Sequence, residues 1–383
     1  MRPPLKYAAR GRVPPFIAME VMRDANRLAA TGTDVIHMEV GQPSTAAPSR
    51  VREAAARALS ESVLGYTDGL GLPELRMRIA RHYQEFYGVA LDPARVIITG
   101  GASGAFLLAF LSAFNAGDRV VLASPGYPAY RHILTALGIE VVDVATGPED
   151  LYQPTPALLD RVEGRIDGVI VASPSNPTGT MLGEAALTAL VAWCARNGAR
   201  FVSDEIYHGL TYDAPAITVA GLSDDAIVIN SFSKYFSMTG WRLGWMIMPA
   251  DLVPSISTLA PNFVISPPTL SQIAAIEAFE SHDELQANLR RYAENREILV
   301  AGLPGCGIES FLPPQGAFYL YADIGNLTND SLAYCRRMLH ETGVATTPGL
   351  DFDAARGHRA LRFSFAGKTE EIAEAVKRLR RWR

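Results

Sequence analysis

The segment SFSKYFSMTGWRLGW, Ser231 to Trp245, puts Lys234 just after an apolar run and Arg242 eight residues further on. A lysine desolvated in a crowded site can lose its proton and become a nucleophile, whereas arginine stays charged and binds phosphate. Upstream, RFVSDE ends in Asp204 and Glu205, followed by Ile206 and Tyr207. An aspartate closing an apolar strand is costly to bury unless it meets a cation or hydrogen-bond donors, so it is either a site residue or a surface acid or helix cap. SPSNPTG sets Asn176 behind another run, and PGYPAY fixes Tyr127 between glycine and proline. Both segments also fit plain turn chemistry. GGASGA, Gly100 to Ala105, presents backbone N–H groups and the Ser103 hydroxyl to an anion, or else is a tight turn with a helix cap.

Several other chemistries lack their parts. Ala102 stands where the dinucleotide fingerprint GxGxxG requires its second glycine. GKT at Gly367 to Thr369 is no phosphate-binding P-loop, because Arg362 lies where the first glycine belongs. No HExxH pair or other metal-ligand spacing occurs, so no metal is expected. Ser231 and Lys234 form an SxxK, but the KTG and SDN partners of an acylated serine are missing.

The elements that must position these residues are short apolar runs alternating with helical patterns. The runs are RVIITG (95–100), DRVVLAS (118–124), IEVVDV (139–144), DGVIVAS (167–173), RFVSDE (200–205), AIVINSFS (226–233) and RLGWMIM (242–248). Non-alternating strands of this kind predict an α/β protein with a mainly parallel sheet covered on both faces. In such sheets sites form beyond the carboxyl ends of the strands, which is where the residues above fall. Residues 1–40 read as an arm and a short helix. From about residue 281 a long charged helix, the strand GAFYLYADI, another helix and RALRFSFAG give an α+β texture. The division expected is 1–40, arm and part of a small domain; 41–280, a large domain; 281–383, the small domain. No repeat or Gly/Ser linker interrupts the chain, so the two should pack tightly.

Composition agrees. The chain has 383 residues, 48% hydrophobic and 20% charged, as ordinary globular proteins do. With 35 Lys+Arg against 40 Asp+Glu the net charge is -5, which disfavours nucleic acid as a partner. The basic run KRLRRWR sits on a helical pattern with Ile372, Val376 and Leu379 inward, and reads as a solvated helix end. Cys194, Cys306 and Cys335 form no CxxC, which favours a reducing compartment, the cytoplasm by default. The basic N-terminus lacks the apolar core of a signal peptide. AFLLAFLSAF, Ala105 to Phe114, is far shorter than the roughly 18 residues of a membrane span and predicts a buried helix; no membrane partner is expected.

The ordered set NPTG, DEIY, SFSK with its arginine eight residues on, and the late RFSF resembles the fold type I pyridoxal phosphate aminotransferases, class I/II, of the aspartate aminotransferase superfamily. The likeness runs from GQP at Gly41 to RALRFSFAG. It implies a large domain whose seven-stranded sheet lies between helices, and a smaller α+β domain built from both chain ends. It implies pyridoxal 5'-phosphate as cofactor, with amino acid and 2-oxo acid as substrates. Lys234 matches the Schiff-base lysine and catalytic base, and Asp204 the acid that keeps the pyridine nitrogen protonated. Tyr207 and Asn176 match the donors to the phenolic oxygen, and Tyr127 the aromatic stacked on the ring. The phosphate would lie among Ala102, Ser103, Ser231 and Arg242, with Tyr66 reaching over from a second subunit of a homodimer. Arg362 matches the fork for the substrate α-carboxylate, with Gly41 backbone and Asn176 beside it.

One departure bears on the substrate. Some aspartate-specific members carry a lysine at the position of Ser103, so Ser103 disfavours that route to a distal carboxylate. Phe16 either simply packs or, with Ile17, makes the side-chain pocket apolar and predicts a neutral or aromatic amino acid, although Arg12 in the same arm could receive an acidic one. A C–S β-lyase shares this scaffold and is the rival activity. A ligand-sensing regulator would need an attached DNA-binding segment, for which the arm before Gly41 is short.

Overall fold

A computed structural model describes residues 5–382; Met1–Pro4 of the basic N-terminus and Arg383 of the basic C-terminus lie outside the described residues. The strands in chain order are β1 Ile36–His37, β2 Val96–Thr99, β3 Arg119–Ser124, β4 Glu140–Ala145, β5 Gly168–Ala172, β6 Arg200–Asp204, β7 Ile227–Ser231, β8 Gly244–Ile247, β9 Ser310–Phe311, β10 Tyr319–Asp323, β11 Val344–Ala345, β12 Thr347–Pro348 and β13 Ala360–Ser364. Seven of them, one for each apolar run, form a single sheet in the order β2-β8-β7-β6-β5-β3-β4. Pairing is parallel from β4 through β7, and β8 runs antiparallel to both β7 and β2. A parallel return needs a long crossover, usually a helix. The link from β7 to β8, which holds Lys234, contains only the short turn Thr239–Trp241, so β8 comes back beside β7 in reverse.

Alternate side chains of these strands feed two cores. Val121, Val169, Val171, Val228 and Trp245 face one, while Val120, Leu122, Ile170, Val202, Ile229 and Met246 face the other. Each such aliphatic side chain contributes about 1.5–3 kcal/mol when fully buried, which is why the runs do not alternate in polarity. The apolar helix forms over Gly101–Ala113, with Ala105, Phe106, Ala109 and Phe110 buried in the second core. None of the described helices is long and apolar enough to cross a membrane.

The ends of the chain build the rest. A four-stranded antiparallel sheet has the order β12-β13-β10-β9, and β1 pairs in parallel with β11, Ile36 opposite Val344. The charged helix spans His282–Gly302. The C-terminal helix Thr369–Trp382 buries Ile372, Val376 and Leu379 and leaves Lys377, Arg380 and Arg381 in solvent, as its pattern predicts.

Candidate active site

Beyond the carboxyl ends of β5, β6 and β7 opens a cavity of about 560 Å³, lined among others by Gly41, Ala102, Ser103, Tyr127, Asn176, Asp204, Tyr207, Lys234, Arg242 and Arg362. These residues are drawn from most of the chain's length. What holds Lys234 in place is the packing of its neighbours: Phe232, Tyr235, Phe236 and Met238 are all buried. Phe232 packs on Trp245 with ring centres 4.9 Å apart, and Phe236 on Phe279 at 5.1 Å. With those side chains committed to the core, Lys234 is left to the cavity, where its Nζ donates to the Gly41 carbonyl at 2.6 Å. Burial, then the Arg362 and Arg242 guanidinium charges, push the amine down to about 8, against the pull of Asp204. A fraction of it is therefore neutral, and nucleophilic, near physiological pH.

Asp204 is buried at the end of β6. Its Oδ1 accepts the Ile206 N–H at 3.1 Å and its Oδ2 accepts the Tyr130 hydroxyl. Burial pushes the carboxyl up to about 6, while those two donors and Lys234 favour the charged form. Tyr207 and Tyr319 share a hydrogen bond of 2.8 Å between their hydroxyls, and burial raises both phenols.

Arg362, on β13, is 3% exposed and lies between the rings of Tyr319 and Phe352, its Cζ 4.4 and 4.7 Å from their centres. Nη1 donates to Asn176 Oδ1 at 2.8 Å, and Nη2 donates to the Glu39 carbonyl and to Thr347 Oγ1 at 3.2 Å. Its Nε is buried without a hydrogen-bond acceptor. Arg242 donates to the Thr239 carbonyl at 3.0 Å and lies so close to the first turn of the Gly101–Ala113 helix that a Cβ on Gly101 would come within 2.7 Å of its Nη2. Gly101 also has φ +76, which glycine adopts without strain. Among the described residues neither arginine has a carboxylate partner within ion-pair distance.

Two residues expected of the cofactor site stand apart from this cavity. Ser231 lies behind it, its hydroxyl 2.9 Å from Ser233 Oγ and 3.1 Å from the Leu243 carbonyl, and Ser233 lines the cavity instead. Tyr66 is 83% exposed on the surface of this chain. In the arm, Phe16 lines the cavity and meets the Tyr127 ring edge-on at 6.0 Å. Ile17 faces a smaller adjoining cavity that shares Tyr127 and Asn176 with the first. Ala18, Met19 and Met22 complete the apolar wall. Arg12 does not reach it; its guanidinium stacks on Tyr7, 4.6 Å from the ring centre. Sequence reasoning missed Tyr130, Tyr319, Thr239, Met19 and Met22, and only the spacing of Met19 and Met22 on one helix face could have signalled any of them.

Fold and site together define an α/β enzyme with a depressed lysine amine, a buried acid and two unpaired arginines facing one cavity at the strand ends. The chain belongs to the family Aminotransferase class I and II, whose description matches residues 33–379; the family depends on pyridoxal phosphate. It is 50% identical over 381 residues to a valine–pyruvate aminotransferase of Mycobacterium tuberculosis (strain ATCC 25618 / H37Rv), with 98% of each chain covered. The crystal structure of an aminotransferase from Mycobacterium tuberculosis superposes with a TM-score of 0.97 at 49% identity over 99% of both chains. Aspartate aminotransferase from Thermus thermophilus with maleate does so at 0.92 and 31% identity over 100% of both. The protein is thus an aminotransferase acting on amino and 2-oxo acids.

Proposed function

We propose that the enzyme takes the amino group from a neutral L-amino acid, valine foremost, and passes it to a 2-oxo acid such as pyruvate. The observation that carries this is the pair Arg242 and Arg362, two cavity guanidiniums without carboxylate partners. Arg362 is a buried cation without a carboxylate and calls for an anion; Arg242 is solvent-exposed in this chain but lines the same cavity, and two such cations at separate places suit a cofactor phosphate and a substrate carboxylate. The orphaned Nε of Arg362 points the same way.

The donor set fits pyridoxal phosphate. Lys234 is the residue to hold it covalently, and Asp204 to keep a proton on its ring nitrogen. Ala102, Ser103, Ser233 and Arg242 are placed for the phosphate, Asn176 and Tyr207 for the phenolic oxygen, and Tyr127 for the ring face. Bound there, the group supplies a sink for the electrons left on the substrate Cα. The chain's own residues do the rest. Arg362 orients the α-carboxylate, and Lys234, once its amine is free, takes the proton from Cα and returns it on the other side of the exchange. Phe16, Ala18, Met19 and Met22 exclude water from the side chain.

The apolar wall supports a neutral donor, and so does the name of the relative at 50% identity. We infer further that the enzyme works as a homodimer in the cytoplasm, with Tyr66 and the fully exposed Val63 beside it turned to a second copy. The proposed domain division is 1–40 with 281–383 against 41–280. The test is a panel of valine, leucine, methionine, phenylalanine, alanine, glutamate and aspartate, followed by the cofactor absorbance, with pyruvate and 2-oxoglutarate as acceptors. Valine and the other neutral donors should exceed aspartate by at least about tenfold in kcat/KM, since apolar pockets discriminate by about 1–3 kcal/mol per methylene. A preference for aspartate would overturn the proposal.

A further inference from the structure

We propose that Asp351 is a positioning residue for substrate selection, tying the helix that carries the apolar wall to the loop that holds Arg362. This rests on the cavity being the amino-acid site. The helix Ile17–Ala30 begins after Phe16, which offers it no side-chain cap. Its first amides would be orphans, yet Asp351 supplies the acceptors from the far end of the chain: Oδ1 takes the Ile17 N–H at 2.9 Å and Oδ2 the Ala18 N–H at 3.1 Å. A carboxylate at a helix N-terminus is also favoured by the helix dipole.

Asp351 closes the short turn Gly349–Asp351, which follows β12 directly. On one side of it Thr347 Oγ1 accepts from Arg362, and on the other the Phe352 ring lies against the same guanidinium. Residues 347–352 therefore grip the carboxylate anchor at two points and the helix at a third. The helix is also held by apolar packing, with Val21 and Ala25 against Leu339 and Ala345, and Ile17 and Leu28 half-buried on the same cluster. Its first turn, with Phe16, Ala18 and Met19 in the cavity wall, has Asp351 as its polar tether. The position of the wall relative to Arg362, and so the length of side chain that fits between them, is set through this carboxylate.

The experiment compares wild type with Asp351→Ala and Asp351→Asn, the second of which keeps one acceptor. Ile17→Pro removes one of the two donors from the other partner while leaving a helix start that proline tolerates. Two readouts are taken: KM and kcat for alanine, valine and phenylalanine, and hydrogen–deuterium exchange of the peptide over residues 16–22 in the protein without amino acid. Loss of a cap of this kind should raise KM for valine and phenylalanine by roughly tenfold, leave alanine nearly unchanged and spare kcat. Exchange over 16–22 should speed up, with Asp351→Asn and Ile17→Pro intermediate in both readouts. Equal KM changes for all three amino acids, or unchanged exchange, would refute the tether. Should Asp351→Ala fail to fold, the two milder variants decide by the same criteria. If wild type transaminates none of the three, the amino-acid reading itself fails, and the selection role falls with it.

Discussion

Tyr130 donates its hydroxyl to Asp204 Oδ2, joining a helix after β3 to the end of β6 across 74 residues of sequence. The bond matters because Asp204 sits where burial opposes its charge. Tyr130 is the first of the groups that favour the carboxylate. In Tyr130→Phe the carboxyl should rise further above about 6, and an activity that needs it ionised should show its acid limb at higher pH. One hydrogen bond to a charged group predicts a displacement of about 1 to 2 pH units. A pH–rate profile superimposable on that of wild type would show that Tyr130 only packs.

The same burial has a cost in stability. The Asp204 carboxyl is raised from 3.8 to about 6 in the folded chain, so between those values the folded state holds more protons than the unfolded one. Stability contributed by the group therefore falls as pH rises from about 4 to 6, by on the order of 3 kcal/mol in all. Asp204→Asn should remove that fall. Without cofactor the variant is expected to melt higher than wild type above pH 6, while its half-reaction slows by orders of magnitude. Melting curves from pH 4 to 8 check this, and parallel wild-type and variant profiles would count against a buried, strained charge.

How far the sequence discloses such a site depends on whether its residues announce themselves locally. Asp204 ends an apolar run and Lys234 and Asn176 closely follow one, and the geometry of an α/β sheet sends strand ends to one edge, so their meeting in one cavity is foreseeable. Six of the seven runs likewise become strands for a local reason, their near-continuous burial on two faces, whereas β4 at the sheet edge buries only Val144 fully. Tyr130 and Tyr319 carry no such mark. They look like core aromatics, and only contacts spanning 74 and 112 residues bring them to Asp204 and Tyr207. Ser231 and Ser233 show the limit at finer scale: one ends β7 and the other lies two residues beyond it, and the turn geometry alone decides that Ser233 faces the cavity. Arg12 stands away from the cavity for a different reason, since an exposed arm residue has no core to fix its direction.

Arg362→Lys should separate substrate from cofactor. The guanidinium spans Asn176 Oδ1 on one nitrogen and the Glu39 carbonyl on the other, and stacks between two rings; a lysine ammonium can do neither. Losing a hydrogen bond to a carboxylate costs about 1.5–3 kcal/mol, so KM should rise roughly 10- to 150-fold. Cofactor affinity should change little if, as proposed, Arg362 serves the substrate carboxylate and not the cofactor. Parallel losses of both would mean that the variant is misfolded.

Gly41 offers the most sharply geometric case. Its φ is not in the left-handed region, so conformation alone would admit other residues. Space would not: an added Cβ would lie 1.5 Å from Tyr319 Oη and 2.3 Å from its Cζ. Tyr319 cannot retreat cheaply, because its ring supports Arg362 and its hydroxyl binds Tyr207. Gly41→Ala should therefore destabilise the fold by about 1–3 kcal/mol or more and displace the carbonyl that receives Lys234 Nζ. Trimming the hydroxyl should not cure it, since Cζ and Cε1 remain within 2.6 Å of the new methyl. Tyr319→Phe alone is thus expected to be mild, and the double variant to stay as defective as Gly41→Ala in melting temperature and half-reaction rate. Full rescue by Tyr319→Phe would show that the ring can shift, and that the close approach at Gly41 is not what fixes Lys234.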